Sequence, residues 1–294
     1  MRNFLLALAI SCSGVLAAQL PVTKVFLFDY EQRDTTFTFS EPRFLTAFNE
    51  YGYNNQPNFV DQHTLLMAVQ LPDMPQPDVF SFDLRNRTRS RVTRTISGEF
   101  SPKPIGSSDR FSAVRQEFVG QDTVLRLWEF PLNRINNGRP VFKYLTGVGY
   151  YEWINDRQLA LFLLGAPNQL AIASADTDQP IGIARNVGRT FSRLPNGNLL
   201  YVQKADAGPW MLMQKNLYRL SDEPRPYGET LPQQEDFTVL RDGSLLMAQG
   251  SKIFHYDPIR ARRWREVVDL RFYGIRNISR LATDGGKQIA IVSE

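Results

Sequence analysis

Short apolar runs recur along the chain, and each is entered through a tight polar turn. Three copies are close to one another: Val60-Asp61-Gln62-His63 before Thr64-Leu65-Leu66-Met67-Ala68, Leu194-Pro195-Asn196-Gly197 before Asn198-Leu199-Leu200-Tyr201-Val202, and Leu240-Arg241-Asp242-Gly243 before Ser244-Leu245-Leu246-Met247-Ala248. Looser copies surround Asp109, Asp156 and Asp284, so the turn residues are spaced by 48, 47, 40, 46 and 42 positions. Asp-Gly and Asn-Gly supply the positive backbone angles of a hairpin turn, and a short apolar run behind one reads as a buried strand. A hairpin repeated at that interval has the period of a propeller blade.

The residues around each turn predict the rest of the blade. First strands are expected over 53–59, 98–102, 149–154, 190–194, 236–240 and 277–282. Third strands are expected over 78–83, 124–129, 169–174 and 252–257, and more polar fourth strands over 90–95, 141–145 and 264–270. The last copy stops after two strands at Glu294. At the other end, Lys24-Val25-Phe26-Leu27-Phe28-Asp29 matches the third-strand pattern and residues 37–48 can supply a fourth. Sharing one blade between both termini removes an open sheet edge. The expected fold is all-β, a six-bladed β-propeller with its last blade closed by N- and C-terminal strands; an open β-sandwich with irregular turns is the competing arrangement.

Composition adds a location. With 43% hydrophobic and 22% charged residues the chain can bury a sizeable core. Arg2, the apolar run Phe4 to Ile10 and the small-residue exit Val15-Leu16-Ala17-Ala18 have the layout of a secretory signal peptide. Residues 1–18 are therefore read as a signal peptide and 19–294 as the propeller, periplasmic or secreted. A lipoprotein signal is the alternative, because Ala9-Ile10-Ser11-Cys12 resembles a lipobox and would leave a lipid anchor on Cys12. Cys12 is the only cysteine, which removes disulfides from the mature chain. No other segment is apolar enough to cross a membrane. The net charge of +4 is a weak argument for a polyanionic partner, and export argues against nucleic acid.

The repeats resemble those of the TolB-like propeller family, in which aromatic-Asn-x-x-Pro-x-Phe-Ser-Pro-Asp-Gly precedes an apolar strand. Tyr53-Asn54-Asn55-Gln56-Pro57-Asn58-Phe59 with Asp61, and Glu99-Phe100-Ser101-Pro102, carry the match. TolB has an additional α/β domain before its propeller, for which this chain has no room. The resemblance implies an exported, propeller-only protein that offers a rim and a channel to a partner or ligand. Its motif is structural and passes on no catalytic residue.

Candidate chemistry is sparse. His63 and His255 are the only histidines, and the expected blades put neither at the channel, so a His-based metal site or a Ser-His-Asp triad has no support. There is no nucleophile elbow, phosphate loop or dinucleotide fingerprint, so no cofactor is expected and no metal is assigned. Carboxylates remain. Glu99, Glu152, Glu235 and Asp236 fall near the starts of first strands, where a ring brings side chains together. Two carboxyls about 5–9.5 Å apart suit glycoside hydrolysis, and such oxygens suit the Ca²⁺ of a lactonase-type propeller. The competing reading pairs them with Arg189, Arg193, Arg276 and Arg280.

The expected binding site is the channel-mouth set Asn54, Asn55, Glu99, Tyr150, Glu152, Arg189, Asp236 and Arg276. The expected function is non-enzymatic binding or scaffolding of a protein or cell-envelope component, with a small ligand also compatible with the channel; a hydrolase using Glu99, Glu152 and Asp236 is the alternative. Tyr150, Tyr151 and Trp153 flank Glu152 either as a stacking surface or as packing between blades. Arg85, Arg87, Arg89 and Arg91 would share one face of a continuous strand, and Arg260, Arg262, Arg263 and Arg265 form a second cluster. Both clusters suit a solvated outer strand whose charges block edge pairing, or an anionic envelope surface.

Mass spectrometry of the exported protein checks the leader. A mature chain starting just after Ala17 or Ala18 is expected, a start at lipidated Cys12 marks the alternative, and an intact Met1 contradicts both.

Overall fold

The computed structural model describes residues 20–106, 108–120, 122–133 and 137–294; the predicted leader and Cys12 lie outside them. The chain opens with β1 (Lys24–Arg33) and β2 (Thr36–Phe44). Blade 1 holds β3 (Tyr53–Phe59), β4 (Thr64–Gln70), β5 (Asp78–Asp83) and β6 (Thr88–Arg91), and blade 2 holds β7 (Gly98–Pro104), β8 (Arg110–Val119), β9 (Asp122–Pro131) and β10 (Arg139–Pro140). Blade 3 holds β11 (Val148–Trp153), β12 (Gln158–Leu163), β13 (Gln169–Ser174) and β14 (Ile181–Arg185). Blade 4 holds β15 (Val187–Arg193), β16 (Leu199–Gln203), β17 (Met211–Lys215) and β18 (Arg225–Glu229). Blade 5 holds β19 (Phe237–Val239), β20 (Leu245–Gln249), β21 (Lys252–Tyr256) and β22 (Trp264–Asp269), followed by β23 (Ile278–Thr283) and β24 (Gln288–Ser293). The terminal blade has the order β2-β1-β24-β23, with Lys24 opposite Ser293 and Asp29 opposite Gln288. This is the expected six-bladed ring closed by both termini.

The recurring turn works through its side chain as much as through glycine. Asp61 Oδ1 accepts the backbone N–H groups of His63 and Thr64 at 2.7 and 2.8 Å, and Asn196, Asp242 and Asp284 repeat the contact. Gly197 and Gly243 follow at φ of 83° and 85°, a region that costs a side chain dearly. In blade 3 the accepting residue is Asn155, one position before the expected Asp156, and it takes the N–H groups of Arg157 and Gln158.

Behind each turn the second strand is apolar on both faces because it is packed between two blades. In β16, Leu199 and Tyr201 face blade 3 while Leu200 and Val202 face blade 5. In β4, Leu65, Met67 and Val69 face the terminal blade while Leu66 faces blade 2. The core is thus a ring of apolar clusters, one at each of the six junctions between neighbouring blades. His255 belongs to this packing: it is buried against Phe37, ring centroids 4.8 Å apart, and burial lowers its pKa.

Expectations for the outer strands change: the fourth strand of blade 1 is Thr88–Arg91 in place of 90–95. Blade 2 has only Arg139–Pro140 as its fourth strand, and 141–147 instead runs as a loop that donates from Val141 and Gly147 to the carbonyls of Leu127 and Leu125. The arginine repeat 85–91 is not one strand. Asp83 accepts the Asn86 N–H and Arg87 turns to a φ of 55°, so only Arg89 and Arg91 stand in β6.

The two carboxylates at the junction of blades 1 and 2 are paired. Glu99 and Asp78 are both almost fully buried between blades 1 and 2. Arg115 Nε and Thr95 Oγ1 donate to Glu99 at 3.0 and 2.6 Å, while Arg91 pairs with Asp78. Arg115 is itself stacked on Trp128, 3.9 Å from the ring centroid. Burial pushes Glu99 up to about 7; Thr95 and Arg115 oppose this, and the neighbouring Asp78 carboxylate adds to it.

Two outcomes are expected. Phe28 of β1 is fully buried in the junction between the terminal blade and blade 5. Phe28→Ala is therefore expected to lower unfolding stability in chemical denaturation by about 3–5 kcal/mol, while Tyr218→Ala, at an exposed site, leaves it nearly unchanged. Glu99 holds its proton more tightly folded than unfolded, so its stabilising contribution is complete below about 4.5 and disappears as pH rises to about 7. Comparing unfolding midpoints across that window, Glu99→Gln is expected to flatten the decline seen in the parent protein.

Candidate functional site

Six first strands surround one axis, and their middle and later residues line a funnel of about 390 Å³. Adjacent strands are antiparallel, so the turns joining first to second strands all emerge on one side of the ring, and the funnel opens there, reaching Asp284 and Gly285. Phe59, Lys103, Glu152, Ser192 and Val239 line it nearer those turns, while Gln56, Ser101, Tyr150, Arg189, Asp236 and Arg280 precede them along the strands and lie deeper. A depression of about 370 Å³ adjoins it on the same side and shares Asn58, Phe59, Lys103 and Glu152.

Arg280 ties the floor together. Its guanidinium donates to the Tyr150 hydroxyl at 3.0 Å across the axis and lies 3.6 Å from Asp236 of the neighbouring blade. Burial works against the charge, but Tyr150, Asp236 and Tyr53 outweigh it and hold the Arg280 pKa above its ordinary value. Asp236 accepts the Leu281 N–H at 3.0 Å and lies 3.2 Å from the Thr190 hydroxyl. Burial raises its pKa, and Arg280, Arg189 and these two donors counter the rise. Arg189 reaches Glu235 at 3.6 Å, and Lys204 reaches the same carboxylate at 2.6 Å. Higher in the funnel Lys103 pairs with Glu152.

Blades 1 and 2 shape their side of the wall with bulges. The register of β3 on β4 shifts between Asn55 and Asn58, and that of β7 on β8 between Phe100 and Lys103. Gln56 and Ser101, at φ of 57° and 51°, are the equivalent left-handed residues. Gln56 Oε1 accepts the Ser101 N–H at 2.7 Å, locking the two bulges to each other. The buried Ser101 hydroxyl has no hydrogen-bond partner among the described residues and stands at the funnel wall.

Of the residues expected at the channel, Tyr150, Glu152, Arg189 and Asp236 line the funnel. The other four do not. Asn54 is buried in a network with Asn49 and Thr23, Asn55 accepts the Gln56 N–H, Glu99 is closed into the junction of blades 1 and 2, and Arg276 is exposed on a loop. They precede the funnel along their strands and sit toward the opposite side of the ring. The hydrolase set is thereby divided, since Glu99 is separated from Glu152 and Asp236. Tyr151 points away from its neighbour Tyr150 into the junction with blade 2, its hydroxyl 2.8 Å from the Ser101 carbonyl. Neither His63 nor His255 borders the funnel. Sequence reasoning did not place Lys103 or Thr190 at the site; the Ser-Pro bulge two residues before Lys103 is the local signal that turns that side chain inward.

Among the described residues no group of three His, Cys, Asp or Glu side chains is placed to hold a metal ion, and no helix is long and apolar enough to cross a membrane. No protein-family model and no curated protein sequence matches the chain. Solved structures do. A TolB-type protein from Agrobacterium tumefaciens aligns over 92% of this chain and 98% of its own with a TM-score of 0.67 at 9% identity. A chain of the nidogen/laminin complex aligns over the same shares with a TM-score of 0.59 at 10% identity. An oligogalacturonate lyase in complex with manganese covers 92% of this chain and 97% of its own, with a TM-score of 0.52 at 11% identity. At such identities the likeness is one of architecture, and by that measure the chain has the fold of a TolB-type six-bladed β-propeller.

Proposed function

We propose that the protein is a non-enzymatic recognition module of the cell envelope that takes a protein segment or envelope component into its funnel. The observation that carries this reading is the pairing of the funnel carboxylates. Glu152 is held by Lys103, and Asp236 by Arg280, Thr190 and the Leu281 N–H. An acid/base pair needs one carboxyl free to deliver a proton and another free to receive it. Carboxylates held by cations instead present fixed donors and acceptors, which suits orientation of a polar ligand. Tyr150 adds ring surface to the same wall. One neighbour in fold belongs to a protein–protein complex, and a TolB-type protein aligns along nearly its whole length. The leader-like first residues support work outside the cytoplasm.

A hydrolase is the second reading; one neighbour in fold, an oligogalacturonate lyase, shows that this architecture can carry carbohydrate cleavage, although a lyase cleaves by elimination and not by hydrolysis. One experiment separates them. Cross-linked capture from envelope extract is run with the parent protein beside a Lys103→Ala, Arg189→Ala variant, and the parent is assayed on glycosides and lactones with and without calcium. A captured species that falls by about tenfold or more in the variant, at unchanged unfolding midpoint, is expected. Turnover that disappears in Glu152→Gln, with no species captured, reverses the assignment.

A further inference from the structure

Leu84 to Arg94 is an eleven-residue stretch with five arginines, no lysine and no carboxylate. Without these five, the rest of the chain holds 29 Lys and Arg against 30 Asp and Glu. Within this stretch, on the outer edge of blade 1, no carboxylate offsets the five positive charges, and among the described residues only Arg91 has an ion-pair partner, the buried Asp78. Arg85, Arg87, Arg89 and Arg94 are exposed and form no ion pair among the described residues. The second basic cluster differs: Arg260 of blade 5 pairs with Asp34, and Asp257 and Glu266 stand close to it in sequence.

The edge is also shaped. Blade 1 and the terminal blade enclose a groove of about 350 Å³, with Phe44, Leu45, Phe82 and Leu84 in its lining and Arg43, Arg87 and Arg89 beside them. Arg89 is pre-oriented by stacking on Phe48, 3.8 Å from the ring centroid, and Arg43 by donating to the Leu84 carbonyl at 3.2 Å. The one carboxylate in the lining, Asp83, is already engaged by the Asn86 backbone and side chain, each at 2.8 Å. Strand β6 bonds to β5 along one side only, so its other side offers backbone groups.

We propose that the outer edge of blade 1, with the groove it forms against the terminal blade, binds an acidic extended segment of a partner protein. A guanidinium matches a carboxylate through two parallel hydrogen bonds, whereas a merely solvated edge is served as well by lysine, of which this stretch has none. The same charges repel basic strands and deny them the free edge of β6, which leaves an acidic strand as the complementary one. The apolar floor accommodates a large side chain between the carboxylates. This surface is on the circumference of the ring, separate from the funnel, and does not depend on what the funnel holds.

The test uses fluorescence anisotropy of the full protein with a short labelled peptide of glutamates around one phenylalanine. Arg85→Gln, Arg87→Gln, Arg89→Gln in one chain is expected to weaken binding by about tenfold or more and to reduce its salt dependence. Arg260→Gln, Arg262→Gln, Arg263→Gln in another is expected to change it by less than about twofold. The substituted side chains are exposed, so unchanged unfolding midpoints show that both variants fold. Equal losses in the two variants would mean diffuse attraction to a basic protein and would overturn the proposal. So would capture of the parent on phosphatidylglycerol vesicles with no affinity for the peptide.

Discussion

The ladder between β1 and β24 is the interaction on which the ring depends. Every apolar cluster in the core lies between two blades, so no blade buries its apolar faces unless both neighbours stay in place. Five blades are continuous in the chain; the sixth exists only because Val25, Phe26, Leu27 and Phe28 pair with the residues from Ile289 to Val292. Closure turns an array with two exposed ends into a ring with none.

Closure also dictates what happens at the axis. Six strands forced around a common line bring side chains from distant parts of the sequence into a space from which much of the water is excluded. Unpaired charge is costly there, and the observed answer is pairing across blades: Arg280 with Asp236 and Tyr150, Arg189 and Lys204 with Glu235, Lys103 with Glu152. The same rule governs the junction of blades 1 and 2, where Arg91 and Arg115 answer Asp78 and Glu99. Arg85, Arg87, Arg89 and Arg94, which form no ion pair among the described residues, lie instead on the circumference, at the outer edge of blade 1.

The bulges at Gln56 and Ser101 connect sequence motif to site. Each places a non-glycine residue in a left-handed conformation, and each is followed by a proline, whose missing N–H suits a break in the ladder. Their effect is to turn the later halves of β3 and β7 toward the axis, which puts Asn58 and Lys103 on the funnel wall.

The blade count, the hairpin turns and the closure were legible in the sequence because each rests on local chemistry. An Asp or Asn caps its own turn, an apolar run too short for a helix enters a buried strand, and a truncated last repeat calls for its complement at the other terminus. Register and depth were not legible. Whether a polar residue near the start of an inner strand faces the axis, a junction or solvent depends on bulges and on how far along the strand the funnel lies. Tyr150 and Tyr151 show the problem, adjacent in sequence yet packed against the clusters on opposite sides of blade 3. Glu99, Asn54 and Arg276 stand on the far side of the floor, and Arg85 to Arg91 divide between a turn and a short strand, because pairing partners far away in the chain set the register. The sequence by itself determined which residues form the blades; only the closed ring decided which of their polar side chains meet.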